Sequence, residues 1–241
     1  MSKRFYGCVK SQTRDNLKLS RNIEENIIFP PKLELTMTRV YDQKNLGSCT
    51  SNAVLNSFNY KNRNNKGGCI NPSRLFLYYN SRKMDDNEDR DTGTSILNAL
   101  KSLKNVGVCK EKLCVYNISN TFICPSVAAY ENALIHKNVK YYEINVKVNE
   151  FKKFINLDLP IVFGFVVKES FESKDFNGIL EYNKDEKELG SHAVLCVGYD
   201  DSIKCIKVLN SWGPKWNGDG YFFMTYEYLE SNLCFDSHIL L

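Results

Sequence analysis

At about Tyr141 the hydrophobic period of the chain changes from helical to strand-like, and this break limits the fold more than any other feature of the 241 residues. Upstream, Ser48 can cap a predicted helix running to about Lys61, and Asn71-Pro72 supplies a cap and first-turn proline for a helix carrying Leu75, Phe76, Tyr78 and Tyr79. Ile96, Leu100 and Leu103 recur at i, i+4 and i+7 in a third helix that ends near Gly107. A fourth is predicted from Pro125, with Val127, Tyr130 and Leu134 on its apolar face. Downstream, apart from a helical patch at 151–155, strands dominate: Tyr142, Ile144 and Val146 alternate with polar residues, and PIVFGFVV, HAVLCVGY, IKCIKVLN and GYFFMTY follow with turn signals between them. Helices followed by strands predict an α+β plan, with chemistry in the cleft between two lobes.

On this reading residues 1–30 are a polar N-terminal appendage, 31–140 a mainly helical lobe, 141–226 a mainly β lobe, and 227–241 a C-terminal segment. A chain of this length hides roughly 70% of its unfolded surface, enough for a sizeable core. The net charge of +4 comes from lysines scattered among acids rather than from a basic stripe, which argues against nucleic-acid or membrane partners. No apolar run has the length of a signal-peptide core or of a membrane span, so an intracellular or otherwise reducing compartment is expected, with a lysosome-like or virion location left open. The nine cysteines are expected to be reduced and mostly buried. Cys109, Cys114 and Cys124 lack paired C-x-x-C spacing, so neither metal nor other cofactor is expected. The acidic run Asp85, Asn87, Asp89, Asp91 has Arg90 where a calcium loop needs glycine and Ile96 where it needs an acid, so it reads as a solvated loop.

Nucleophilic chemistry is the remaining candidate. A thiol becomes a nucleophile when a nearby cation and the positive end of a helix favour its thiolate, and Cys49 stands at a predicted helix start. Of the three histidines, His136 lies among polar residues and His238 near the C-terminus, whereas His192 opens a strongly apolar strand where its ring needs partners. Asn210 ends the next apolar strand and can accept from one ring nitrogen while the other faces Cys49. Gln43 can then offer an amide N–H, beside the Cys49 backbone N–H, to the oxyanion formed when sulfur attacks a carbonyl. Singly, each residue reads equally well as core or turn; together they fill four chemical roles.

Three blocks carry a resemblance to the papain-like cysteine peptidases, the family of papain and the cathepsins: QKNLGSC (43–49), GSHAVLCVGYDD (190–201) and LNSWGPKWNGDGYFFM (209–224). They stand in the family's order, with His192 following Cys49 at its spacing of roughly 130–150 residues. The resemblance implies a papain-like two-lobed fold, a helical lobe plus an antiparallel β-barrel-like lobe, acting on polypeptide substrates. It implies Cys49 as nucleophile, His192 as acid and base, Asn210 as orienter and Gln43 as oxyanion donor. It further implies Trp212 as a lid over the His–Asn bond on the leaving-group side, with Gly93 and Thr94 beside the peptide before the scissile bond. Thr50 departs from the aromatic residue usual after the nucleophile, and Leu46 replaces a cysteine that many members bridge. The absence of a His-His insertion favours cutting inside chains. Residues 1–30 are long enough to cross a cleft and are expected either to mask it or to pack on the β lobe. A non-catalytic binding module, and an acyl transferase or ligase working through the same thioester, are the rival readings.

Overall fold

The computed structural model describes residues 5–12, 28–63, 70–137 and 139–241. Strand β1 (Lys32–Glu34) is followed by the helices α1 (Cys49–Lys61), α2 (Arg74–Lys83), α3 (Ile96–Asn105) and α4 (Val127–Ala133). The second half comprises β2 (Tyr141–Glu143), α5 (Val148–Asn156), β3 (Ile161–Lys168), α6 (Glu169–Glu172), β4 (Ile179–Leu180), β5 (Glu188–Asp200), β6 (Cys205–Leu209), β7 (Tyr221–Thr225), α7 (Tyr226–Glu230) and β8 (Cys234–Leu240). The helical-then-strand plan is therefore present, and its break falls where the period changes.

Among the described residues one eight-stranded sheet runs in the order β2-β8-β3-β5-β6-β7-β4, with β1 also pairing β5. All pairings are antiparallel except β4 with β7. The expected barrel-like lobe is thus a large sheet that is not closed: β2 and β4 end the path without meeting. The C-terminal residues include an interior strand, because β8 lies between β2 and β3. His238, expected near a loose end, is buried there.

Helix α1 packs against β5 and lies almost entirely inside the molecule, its residues 49–60 all buried. Helix α3 behaves as its stripe predicts: Ile96, Leu100 and Leu103 are each fully buried, a face that stabilises by about 1.5–3 kcal/mol per side chain. Three local expectations change. Ser48 precedes α1 but makes no side-chain cap; its hydroxyl bonds Tyr116 Oη at 2.5 Å instead. Ser73, not Asn71, caps α2, accepting the Phe76 N–H at 3.0 Å. Of the face predicted for α4, Tyr130 packs on Phe76 with ring centroids 5.0 Å apart, but Val127 is 75% and Leu134, just past the helix, 61% exposed, while Ala129 and Ala133 are buried. Small side chains win there because the Ala133 carbonyl passes over Gly107, where any Cβ would come within 2.1 Å of it. Among the described residues no helix is long and apolar enough to cross a membrane.

Candidate active site

Two backbone stretches stitch the halves of the site together. Residues 41–43 run antiparallel to 211–213, with Asp42 bridged to Trp212, Gln43 N–H donating to Ser211 O at 2.8 Å and Gly213 N–H to Tyr41 O at 3.0 Å. This pairing places the loop leading into α1 beside the residues that follow β6. Gln43 is fully buried there, and Ser211 Oγ donates to its Oε1 at 2.6 Å, which sets the amide's orientation. Gln43 Nε2 donates to Leu46 O at 2.9 Å and to Phe5 O at 3.3 Å.

His192 lies in the middle of β5, paired opposite Phe165 of β3, and is fully buried. Its Nε2 is 2.8 Å from Asn210 Oδ1. That oxygen also accepts the Ser211 N–H at 2.8 Å, and a carbonyl oxygen only accepts, so Nε2 carries the ring proton. Trp212 covers the pair, its ring centroid 5.1 Å from that of His192 at an interplanar angle of 32°. Asn210 and Trp212 thus both lie against the His192 ring.

Cys49 opens α1 on the other side of the cleft and is fully buried. The Ala193 backbone N–H, one residue beyond His192, and the Gly7 N–H both approach its sulfur, and Thr50 Oγ1 lies 4.0 Å away. Burial nevertheless dominates and pushes the Cys49 thiol above its ordinary pKa; those donors only offset part of the rise. The expected ionised sulfur is therefore not what this closed arrangement favours. The departure at Thr50 acquires a structural role: its hydroxyl donates to Thr94 O at 3.1 Å, tying the start of α1 to the loop before α3.

Residues 5–9 occupy the cleft itself. Phe5 O accepts from Gln43 Nε2 at 3.3 Å. Tyr6 packs edge-on to His192 with centroids 6.2 Å apart, lies 6.4 Å from Trp212, and bonds Glu172 through its hydroxyl. Gly7 O accepts the Thr94 N–H at 2.8 Å, Cys8 N–H donates to Ser191 O at 3.2 Å, and Val9 N–H to Thr94 O at 3.1 Å. Further along, Ser11 N–H donates to Asp236 Oδ2 at 2.6 Å. Glycine is required at the tightest point: a Cβ on Gly7 would lie 1.8 Å from Gly47 O, and one on Gly93 (φ +75°) 2.1 Å from Gly7 O. Gly93 and Thr94 do flank a peptide strand, and here that strand is the chain's own N-terminal segment.

Ser211 and residues 5–8 were not singled out from sequence. Ser211 carries a usable signal, since it sits inside the Asn-Ser-Trp-Gly block; the cleft-filling residues carry none, because they have no helical or strand period. The expected mask at 1–30 lies partly outside the described residues, which omit 1–4 and 13–27. Among the described residues the eight cysteines are all unbridged, six of them buried.

The family model for papain family cysteine proteases matches residues 31–235, and the chain belongs to that family. It is 37% identical over 248 residues to an uncharacterised peptidase C1-like protein of Acanthamoeba polyphaga mimivirus, covering 95% of this chain and 80% of that protein. Xylellain, a cysteine protease from Xylella fastidiosa, superposes with a TM-score of 0.91 at 32% identity, covering 100% of this chain and 98% of the other. A procathepsin B from Trypanosoma congolense shares the fold at a TM-score of 0.74 and 17% identity, covering 99% and 86% of the two chains.

Proposed function

We propose that the chain is a cysteine endopeptidase that hydrolyses peptide bonds through a thioester on Cys49, and that residues 5–12 hold it closed. What supports this reading most is a helix-start cysteine whose sulfur is approached by the N–H of Ala193, the residue after an Asn-paired histidine, together with a glutamine amide aimed at a carbonyl oxygen. In an open cleft His192 takes the thiol proton and Cys49 attacks the substrate carbonyl. The Cys49 backbone N–H and Gln43 Nε2 stabilise the oxyanion, a contribution worth about 3–4 kcal/mol per donor. His192 then protonates the leaving amine, and water activated by the same ring releases the acyl group. Asn210 holds the ring in one orientation through Nε2–H. Gly93 and Thr94 pair with the peptide before the scissile bond, and Trp212 shields the His–Asn bond from water.

The N-terminal segment runs from Gln43 and Trp212 toward Thr94 and Asp236. A substrate with its acyl portion beside Thr94 and its leaving portion beside Trp212 runs the other way. The segment therefore fills the cleft with reversed polarity, which supports a mask rather than a bound substrate. Replacing Gly7 by leucine puts a side chain where backbone atoms already stand and should expel the mask. The full chain and its Gly7→Leu variant are assayed on mixed peptides, with Cys49→Ala as the blank. A rise of at least about tenfold in the variant, equivalent to a shift of ~1.4 kcal/mol toward the open state, is expected. Equal rates eliminate masking. If neither form cleaves, and Cys49 alkylates no faster than the other thiols, the peptidase reading is lost.

A further inference from the structure

The mask carries a thiol to the nucleophile. Cys8 is 7% exposed and its backbone bridges Thr94, the residue whose carbonyl takes the Thr50 hydroxyl next to Cys49. Thr50 stands by both thiols: Cys49 Sγ lies 4.0 Å from its Oγ1, and Thr50 and Cys49 are both close enough to Cys8 to influence its acidity. The two backbones are held in register by a shared acceptor, since Thr94 O takes the Val9 N–H at 3.1 Å and the Thr50 hydroxyl at 3.1 Å. The N–H of Gly7, directly before Cys8, approaches the Cys49 sulfur. The clamp of Gly7 between Gly47 and Gly93 leaves little freedom for Cys8 to move away. Neither the closed fold nor the proposed hydrolysis needs a thiol at this position.

We propose that Cys8 and Cys49 are a redox pair: hydrogen peroxide joins them in a disulfide that latches the N-terminal segment over the active site, and a thiol reductant releases it. The proposal rests on residues 5–12 being the mask of a Cys49-dependent enzyme. The chemistry balances. The Cys49 sulfur attacks one peroxide oxygen, the O–O bond breaks, and the departing hydroxide leaves as water with the thiol proton, giving a sulfenic acid. The Cys8 sulfur then displaces the sulfenic hydroxyl; the S–S bond forms, the S–O bond breaks, and a second water carries off the Cys8 proton. One electron pair passes from the two thiols to peroxide. Because both sulfurs belong to one clamped site, the second step is intramolecular and competes well with further oxidation. Burial raises both thiols, Cys8 well above its ordinary pKa, but at Cys49 the Ala193 N–H offsets part of the rise, so Cys49 is the first reactant with peroxide when the segment lifts and Cys8 the resolving one.

The test uses the full chain, reduced and then exposed to hydrogen peroxide, with remaining thiols blocked before digestion without reductant. A peptide linking Cys8 to Cys49, an intact mass lower by two hydrogens, and full recovery of Cys49 alkylation after dithiothreitol are expected. In Cys8→Ser the same exposure should drive Cys49 to sulfinic acid, leaving about tenfold less thiol recoverable than in the wild type. Wild-type protein without the linked peptide overturns the latch, as does equal recovery in the two proteins. Peptidase rates of the reduced samples separate the two ideas. Active reduced enzyme lacking the linked peptide sinks the latch alone, whereas the linked peptide in a chain that cleaves nothing upholds the latch and sinks the peptidase.

Discussion

Gln43 shows how far one side chain's environment sets its chemistry. Its carbonyl end is held by Ser211 and one amide hydrogen by Leu46 O, so the remaining hydrogen has a single direction to point, and Phe5 O now takes it. A preorganised donor of this kind contributes most in the transition state, when charge develops on the oxygen. In the unmasked Gly7→Leu background, Gln43→Ala should lower kcat by about 10²–10³-fold with a smaller change in KM. Asn210→Ala should leave activity measurable above the Cys49→Ala blank, because orientation assists the ring without making or breaking a bond. Steady-state kinetics on one peptide checks both. An Asn210→Ala variant as dead as Cys49→Ala would mean that Asn210 does more than orient.

Among the elements, β1 shows how a short strand is held to the sheet. Its three residues pair with Asp200, Tyr199 and Gly198 of β5, and Lys32 Nζ meets Asp200 Oδ2 at 2.7 Å. The Lys32 hydrogen bond, aided by Ser202, brings the Asp200 carboxyl down to about 2. An unfolded aspartate titrates near ~3.9. A depressed folded value means that the stabilisation is complete above the unfolded pKa and is lost as pH falls toward the folded one. The stability difference between wild type and Asp200→Asn should therefore be constant above about pH 5 and shrink toward zero as pH drops from about 4 to 2. Urea unfolding across that range checks it, and added salt should reduce the difference because Lys32 faces solvent. A difference that grows on acidification would assign the stabilisation to another group. At the same scale, α4 explains why apolar spacing misled: Ala129 and Ala133 let the helix approach Gly107 closely, and backbone proximity outweighed burial of Val127 and Leu134.

For the whole molecule, the closed cleft and the thiol's acidity are one property. Burial raises the Cys49 pKa, while the Ala193 N–H and the start of α1 favour the thiolate. Displacing residues 5–9 admits water and removes the largest cause of the rise. The pH profile for alkylation of Cys49 by a small electrophile should therefore have its midpoint at lower pH in Gly7→Leu than in the full wild-type chain, with faster labelling at every pH below that midpoint. Peptide mapping after timed labelling reads this directly. Coincident profiles would mean that the segment does not control the sulfur's environment.

The local chemistry of the chain was legible in the sequence: the change of period near Tyr141, the buried stripe of α3, and the Gln43, Cys49, His192 and Asn210 set all follow from residue type and spacing. These are short-range or motif-borne signals, and local sterics and side-chain chemistry write them wherever the chain goes. Only the tertiary structure decided that the sheet stays open, that β8 inserts between β2 and β3, and that Phe5 to Val9 lie between Gln43, Ser191 and Thr94. Those outcomes depend on backbone hydrogen bonds and on space between glycines, Gly7 against Gly47 and Gly93. Every residue offers backbone donors and acceptors alike, so no pattern of side chains announces which distant partners they will find.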